Sequence, residues 1–333
     1  MPKAPVTPMK IVNDLWAART ALALSAAVDL DVFTSISQAK KTSAAIAKSL
    51  GSSQRGVERL LDALTGIGYI TKRGTQYGLT PIADTFLVRT KHTYMGAMVK
   101  ETQMTLPLWM QLADVIRSGK PAAAVNSDEG RKFFPELVKA IFPMTYQGAL
   151  GLVHSLPKAK LKKISRVLDV AAGSGAWSLP FAQANPATRV TAADYPEVTP
   201  ITREYAQVFG VADRYDYLEG DLRQMDFGSQ QYDAVILGHI IHSEGEKWGR
   251  DLIQKSYRAL KPGGMLVIAE MIPNDSRTGP AFPLLFGLMM VVATDEGDVF
   301  TMAQYKQWLK QAGFKGLKLV KVEAPSPLIV ATR

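Results

Sequence analysis

Two histidines, His239 and His242, stand three residues apart just past an apolar run, with Glu244 and Glu270 further on. A neutral imidazole at a strand end can take a proton from a hydroxyl, and a carboxylate can orient it. The same His-x-x-His spacing would set both rings on one side of a helical turn, with Glu244 and Glu270 as oxygen ligands for a cation. The pattern supplies no further recognised ligand, so no metal is expected. His154 and His92 are isolated and read as structural. A second set begins at Val167-Leu168-Asp169-Val170-Ala171-Ala172-Gly173-Ser174-Gly175, an apolar strand running into a glycine turn. Gly173 and Gly175 allow a ligand close to the backbone because no Cβ intervenes. A further strand ends at Asp194, placed to accept hydrogen bonds from ribose hydroxyls. Ser178 stands where a dinucleotide fingerprint needs its third glycine, and no Lys-Ser/Thr pair completes a phosphate loop. An adenosine cofactor without a pyrophosphate fits this turn. Asp221 and Leu222 end a third strand, where the acid can meet an adenine amino group and the leucine can cover its face; a helix cap by Asp221 is the alternative.

Short apolar strands alternating with helices must hold these groups. From Arg166 the runs VLDVAA, RVTAAD, YDYLEGD, YDAVILG and GGMLVIAE recur, predicting an α/β domain with a parallel sheet and helices on both faces. A helix is expected near Ala176. Leu317 to Val322 and Pro327 to Thr332 read as a hairpin, so the last strand should be antiparallel. The N-terminal third reads as helix (Ile11 to Leu30), helix (Ser43 to Leu50), a helix capped by Ser53 and a β-wing over residues 69–79. That order is a winged-helix pattern. Residues 93–157 are mostly helical and rich in Met and aromatics, Phe133 and Phe134 among them, with a polar loop over Ser118 to Asp128. The expected division is 1–100, 101–157 and 158–333.

The chain has 333 residues, no cysteine and a net charge of +9. Absent cysteines exclude disulfides, thiolate metal sites and thiol nucleophiles. The first residues lack a signal peptide's apolar core. The longest apolar stretch, Ala281 to Ala293, is shorter than the roughly 20 residues of a membrane span. A cytoplasmic protein is expected. Residues 1–100 hold thirteen Lys/Arg against six Asp/Glu, which admits acidic partners.

Six segments together resemble the small-molecule O-methyltransferases of the plant phenolic and bacterial polyketide type. They are DVAAGSG (169–175), AADYPEV (192–198), EGD (219–221), LGHIIHSE (237–244), ALKPGGMLVIAE (259–270) and WLKQAGF (308–314). The resemblance spans nearly the whole chain and implies a Rossmann-like class I methyltransferase sheet behind a winged-helix-like dimerisation domain, with S-adenosylmethionine as cofactor. It implies a cofactor set of Asp169, Gly173, Ser174, Gly175, Asp194, Tyr195, Asp221, Leu222, Gly238 and His239. Tyr146 joins this set as an aromatic ring suited to a sulfonium. His242 matches the family's general base and Glu270 the acid that orients it. A phenol of pKa near 10 needs such a base at neutral pH. Trp109, Phe142, Phe282, Phe286, Met289 and Met290 are candidates for the pocket of a small aromatic or polyketide-like acceptor, although such residues also suit a core or dimer interface.

Two departures bear on mechanism. His242-Ser243-Glu244 replaces the family's usual His-Asp, and Val299 stands where a second glutamate is usual. C- or N-methylation therefore stays open beside O-methylation. The rival from another class is a winged-helix DNA-binding regulator with a ligand-sensing domain. Glu58 and Asp62 beside Arg55 and Arg59 speak against a groove-reading helix and for a homodimer interface. A catalytically inert cofactor binder is the remaining alternative.

Overall fold

The computed structural model describes residues 6–39, 41–91, 93–124, 134–325 and 327–333. His92, Phe133 and positions 125–128 of the polar loop lie outside them. The chain divides into two compact units, Met1–Pro107 and Leu108–Arg333.

In the first unit the helices Met9–Asp29, Val32–Ile36, Ser43–Ser49 and Gln54–Gly66 precede the wing. Ser53 caps the fourth helix by accepting from the Gly56 amide at 3.1 Å. Its apolar spacing buries Val57, Leu61 and Leu64 against Ala27, Phe33, Ile36, Ile46 and Tyr77. Each fully buried side chain of this kind contributes about 1.5–3 kcal/mol. Gly68 at φ 88° turns the chain into the wing. Strand β2 (Ile70–Arg73) pairs antiparallel with β3 (Gln76–Leu79), as expected. An extra strand, β1 (Lys41–Thr42), adds to β3 and was not expected. Its two residues are the extended lead into the helix that Thr42 caps, so the pairing depends on a distant partner.

The second unit is built on a seven-stranded sheet. Its strands are β4 (Arg166–Val170), β5 (Arg189–Asp194), β6 (Tyr215–Glu219), β7 (Tyr232–Gly238), β8 (Leu260–Ala269), β9 (Lys315–Val320) and β10 (Leu328–Thr332). The order is β6-β5-β4-β7-β8-β10-β9, parallel from β6 to β8. Strand β10 runs antiparallel to both β8 and β9, as the terminal hairpin predicted. The central strands are continuous apolar runs because both faces are covered. Val167, Ile236 and Val267 pack on one face, and Leu168, Val170, Val235, Leu237 and Ile268 on the other.

Register sets the functional edge. Val170 pairs with Leu237, Asp194 with Glu219, and Gly238 with Ala269. The loops carrying Gly173, Tyr195, Asp221, His239 and Glu270 therefore leave the sheet from one edge. The helix after the glycine turn is Leu179–Ala184, later than the expected start near Ala176. The chain first makes tight turns there, with the Ser178 amide on the Gly175 carbonyl at 3.1 Å, and Pro180 then occupies the first helical turn. Residues Ile241–Ala259 are helical but broken at Gly245 (φ 77°, ψ 178°), so His242 sits on its own short turn.

Candidate active site

The glycine turn is fixed from two sides. Asp194 accepts from the Gly173 amide at 2.7 Å through Oδ2 and from the Tyr195 amide at 2.7 Å through Oδ1. Thr202 Oγ1 donates to the Gly173 carbonyl at 2.6 Å. Gly173 and Gly175 take φ of 57° and 73°, and Ala171 joins them in the left-handed region at 56°. A β-carbon there is strained, which marks a loop held in place by its surroundings. Burial pushes the Asp194 carboxyl up to about 6, against the pull of its two amide donors. Each of its oxygens keeps a second acceptor site, so the carboxylate can still receive ribose hydroxyls.

Asp169 is buried at the end of β4. Its Oδ2 accepts from Ser178 Oγ at 2.5 Å, and Ser178 Oγ also meets the Tyr215 hydroxyl at 3.0 Å. Its Oδ1 has no partner, and burial raises the carboxyl to about 7. Ser178, missing as a glycine for a dinucleotide, is thus the side chain that anchors Asp169. An unpartnered buried carboxylate oxygen is costly, and a ligand's donor group would remove that cost. The residues present fit an adenosine cofactor carrying a cationic group.

Beyond β7, His239 also adopts a left-handed backbone at φ 59°, and its amide donates to the Ala269 carbonyl at 2.9 Å. The two imidazoles converge, as their spacing suggested, with ring centroids 6.3 Å apart, but not through a helical turn, because His239 lies on the strand-end turn before the helix begins. Burial lowers His239 to about 4, and its Nδ1 has no partner. His242 Nδ1 lies 2.7 Å from Glu270 Oε2. Glu270 Oε1 accepts from the Ile241 amide at 2.7 Å and the His242 amide at 3.2 Å. Burial pushes the Glu270 carboxyl up, but the His242 charge and hydrogen bond outweigh it and leave it below the ordinary glutamate value. With Glu270 ionised, the Nδ1 side of the His242 ring donates to it, which leaves Nε2 as the ring nitrogen that the carboxylate does not engage. Phe286 meets the His242 ring edge-on, with centroids 4.9 Å apart at 89°. His239, His242 and Glu270 each offer a ligand atom within 4.8 Å of the others. The metal reading has Glu270 in common with the sequence pattern, but not Glu244.

The remaining candidates scatter more. Asp221 caps its own turn through the Arg223 amide at 2.9 Å, Leu222 is buried, and Ser174 is buried in the glycine turn. Tyr195 stacks on Phe134 at 6.4 Å. Phe142 and Tyr146 form an aromatic cluster with Tyr205 and Phe209, and the Tyr146 hydroxyl donates to Gln183 at 2.7 Å. Among the described residues their ring partners do not include His239, His242 or Phe286. Phe282 stacks on Phe286 yet is 51% exposed, Met290 is buried, Met289 is half-buried, and Trp109 ends the helix Gly96–Trp109. Asp298, beside Val299, turns to Arg277 Nη2 at 3.0 Å while its amide donates to the His242 carbonyl at 2.9 Å. Glu244 is buried and paired with Arg223 at 2.8 Å. The sequence reading passed over two features here. One is this ion pair, for which no spacing signal exists. The other is Trp177, whose place two residues past Gly175 was such a signal.

A glycine turn clamped by a buried acid, and a histidine bonded to a second buried acid, stand on one edge of a mostly parallel sheet, an arrangement suited to a cofactor-dependent group-transfer enzyme. A model of the O-methyltransferase domain matches residues 109–315, and one of the O-methyltransferase dimerisation domain matches residues 16–89. The chain belongs to the O-methyltransferase family, and its cofactor is S-adenosylmethionine. It is 29% identical to the tetracenomycin polyketide synthesis 8-O-methyl transferase of Streptomyces glaucescens, across 93% of this chain and 92% of the relative. It is 28% identical to acetylserotonin O-methyltransferase of Mus musculus, across 93% and 84%. The solved structure of human N-acetylserotonin methyltransferase with S-adenosylmethionine shares the fold, with a TM-score of 0.84, 23% identity and coverage of 100% and 99%.

Proposed function

We propose that the protein methylates a hydroxyl group on a small aromatic or polyketide-like acceptor, with His242 as the general base. The observation that carries this reading is the 2.7 Å bond between His242 Nδ1 and Glu270 Oε2. When bound, S-adenosylmethionine supplies an electrophilic methyl group. Asp194 and the Gly173–Gly175 turn hold its adenosine, with Asp221 and Leu222 at the adenine. His242 Nε2 takes the acceptor's hydroxyl proton, and Glu270 stabilises the imidazolium that results. Phe286 packs edge-on against the imidazole and shields that side of it from water. Because Val299 is apolar and Asp298 is engaged by Arg277, Glu270 supports the imidazolium without a second acid. Such a base accounts for roughly 10²- to 10⁴-fold of rate.

The relatives support the acceptor class, since one is named for 8-O-methylation in polyketide synthesis and another for acetylserotonin. The matched dimerisation domain supports a homodimer. So does the helix Met9–Asp29, on which Ile11, Leu15 and Trp16 are each more than 60% exposed. Exposed apolar stripes of this kind mark interaction surfaces. The nucleic-acid alternative weakens further, because Arg59 is paired with Glu58 and Asp62. No helix among the described residues is long and apolar enough to cross a membrane. The test is incubation with methyl-labelled S-adenosylmethionine and a panel of phenols, naphthols, keto acids and pyrroles, read by mass spectrometry and carbon NMR. A labelled methoxy carbon is expected. A label on carbon or nitrogen would replace the O-methylation reading.

A further inference from the structure

Among the described residues, four buried side-chain polar atoms lack a hydrogen-bond partner: Ser25 Oγ, Asp169 Oδ1, Trp177 Nε1 and His239 Nδ1. Asp169 and His239 belong to adjoining strand ends, and Trp177 lies in the turn that follows β4. Asp169 on β4 is the register partner of Ile236, two residues before Gly238 on β7. Trp177 lies against Gly238, where a β-carbon would stand 2.3 Å from the indole Cδ1 and 2.6 Å from Nε1. Its ring centroid is 5.6 Å from that of His239. Buried indole N–H groups normally find a partner, so three orphans at one edge are better read as a cradle than as three separate losses.

The indole is also locked. Gly238 admits it on one side, and on the other Gly148 does, where a β-carbon would come within 3.1 Å of Cη2. A side chain at either glycine would displace the ring. A donor held rigidly before its partner arrives gives up little entropy on binding. The three groups have the polarity of an amino-acid zwitterion's partners. Trp177 offers an N–H, neutral His239 offers a second in the tautomer with its proton on Nδ1, and Asp169 offers a carboxylate oxygen.

We propose that Trp177 is a cofactor-binding residue, its indole N–H donating with His239 Nδ1 to the α-carboxylate of S-adenosylmethionine while Asp169 Oδ1 accepts from the α-ammonium. The assignment rests on the cofactor occupying this strand edge. It makes Gly238 and Trp177 a matched pair, and it assigns Trp177 a role that the glycine turn does not imply.

The test is calorimetric titration of wild type and Trp177→Phe with S-adenosylmethionine, S-adenosylhomocysteine and 5′-methylthioadenosine, which lacks the amino-acid end. Loss of a hydrogen bond to a charged group should weaken the first two roughly 10- to 100-fold. Methylthioadenosine should bind both proteins alike. Unchanged affinity for all three ligands, or equal weakening of all three, overturns the proposal. Should the variant fail to fold, nitrogen NMR of the wild type decides, with the Trp177 indole signal assigned by elimination through the other four tryptophans. That signal should move with S-adenosylmethionine and S-adenosylhomocysteine but stay with methylthioadenosine, and an immobile signal overturns the proposal. A wild type that binds none of the three ligands would instead refute the placement of the cofactor.

Discussion

Replacing Glu270 by glutamine changes one atom type and removes one charge, and the geometry fixes the consequence. Three N–H donors converge on the carboxylate: the Ile241 amide at 2.7 Å and the His242 amide at 3.2 Å on Oε1, and the His242 ring on Oε2 at 2.7 Å. Glutamine offers one acceptor oxygen and one NH₂ group. If the oxygen faced the ring, two backbone N–H groups would face an NH₂, at about 1–3 kcal/mol each. The cheaper arrangement puts the oxygen on the backbone and the NH₂ on the ring. His242 must then present its lone pair at Nδ1 and carry its proton on Nε2, where it can no longer act as a base. The loss should equal the general-base contribution, roughly 10²- to 10⁴-fold in kcat or about 3–5 kcal/mol at ~1.36 kcal/mol per decade. Steady-state kcat, calorimetric affinity for S-adenosylmethionine and the ring-nitrogen NMR signals of His242 check this together. The expected result is a large fall in kcat, unchanged cofactor affinity and a proton moved to Nε2. A kcat near wild type with the proton seen on Nε2 would refute the reasoning.

Ala171→Gly relieves a left-handed backbone at φ 56° and should stabilise the protein by about 1 kcal/mol, seen as a rise of ~2–4 °C in Tm. Gly245→Ala should do the reverse by roughly 2–5 kcal/mol. Its φ of 77° and ψ of 178° suit glycine alone, and a β-carbon would stand 2.5 Å from the Glu296 carbonyl, so a markedly lower Tm is the expected readout. The carboxyls of Asp169 and Asp194, raised to about 7 and about 6, favour the fold most below their unfolded values near 4, and that contribution fades as pH climbs through 6 to 7. If Asp194 holds the cofactor as its carboxylate, that group alone should weaken affinity for S-adenosylmethionine about tenfold from pH 7.5 to pH 5, and Asp169, raised to about 7, should add to the loss, with proton uptake on release detectable by calorimetry in two buffers.

Much of this architecture is legible in the sequence for physical reasons. Parallel strands buried on both faces read as apolar runs, so VLDVAA and YDAVILG announce β4 and β7. Ser53 and Gly68 bracket a helix whose buried Val57, Leu61 and Leu64 recur at helical spacing. Local chemistry decides these features, and local chemistry is what a sequence shows. The rest depends on partners far along the chain. β1 exists because β3 accepts it. The two-sided packing of Trp177 needs Gly148 and Gly238, and the Arg223–Glu244 pair joins the turn after β6 to the helix after β7. The His-x-x-His spacing does bring the rings together, but through a left-handed turn at His239 that periodicity cannot reveal. Phe142 and Tyr146 lie on an apolar helix, and only the fold shows that their rings meet Tyr205 and Phe209.

The central claim is that His242 moves a proton on the acceptor while other residues hold the cofactor. His242→Ala tests it most directly, in a single-turnover measurement of methyl transfer alongside calorimetric titration with S-adenosylmethionine. The expected result is cofactor affinity like that of wild type and transfer slower by roughly 10²- to 10⁴-fold. Transfer at the wild-type rate, or a loss explained wholly by weakened cofactor binding, would contradict the account.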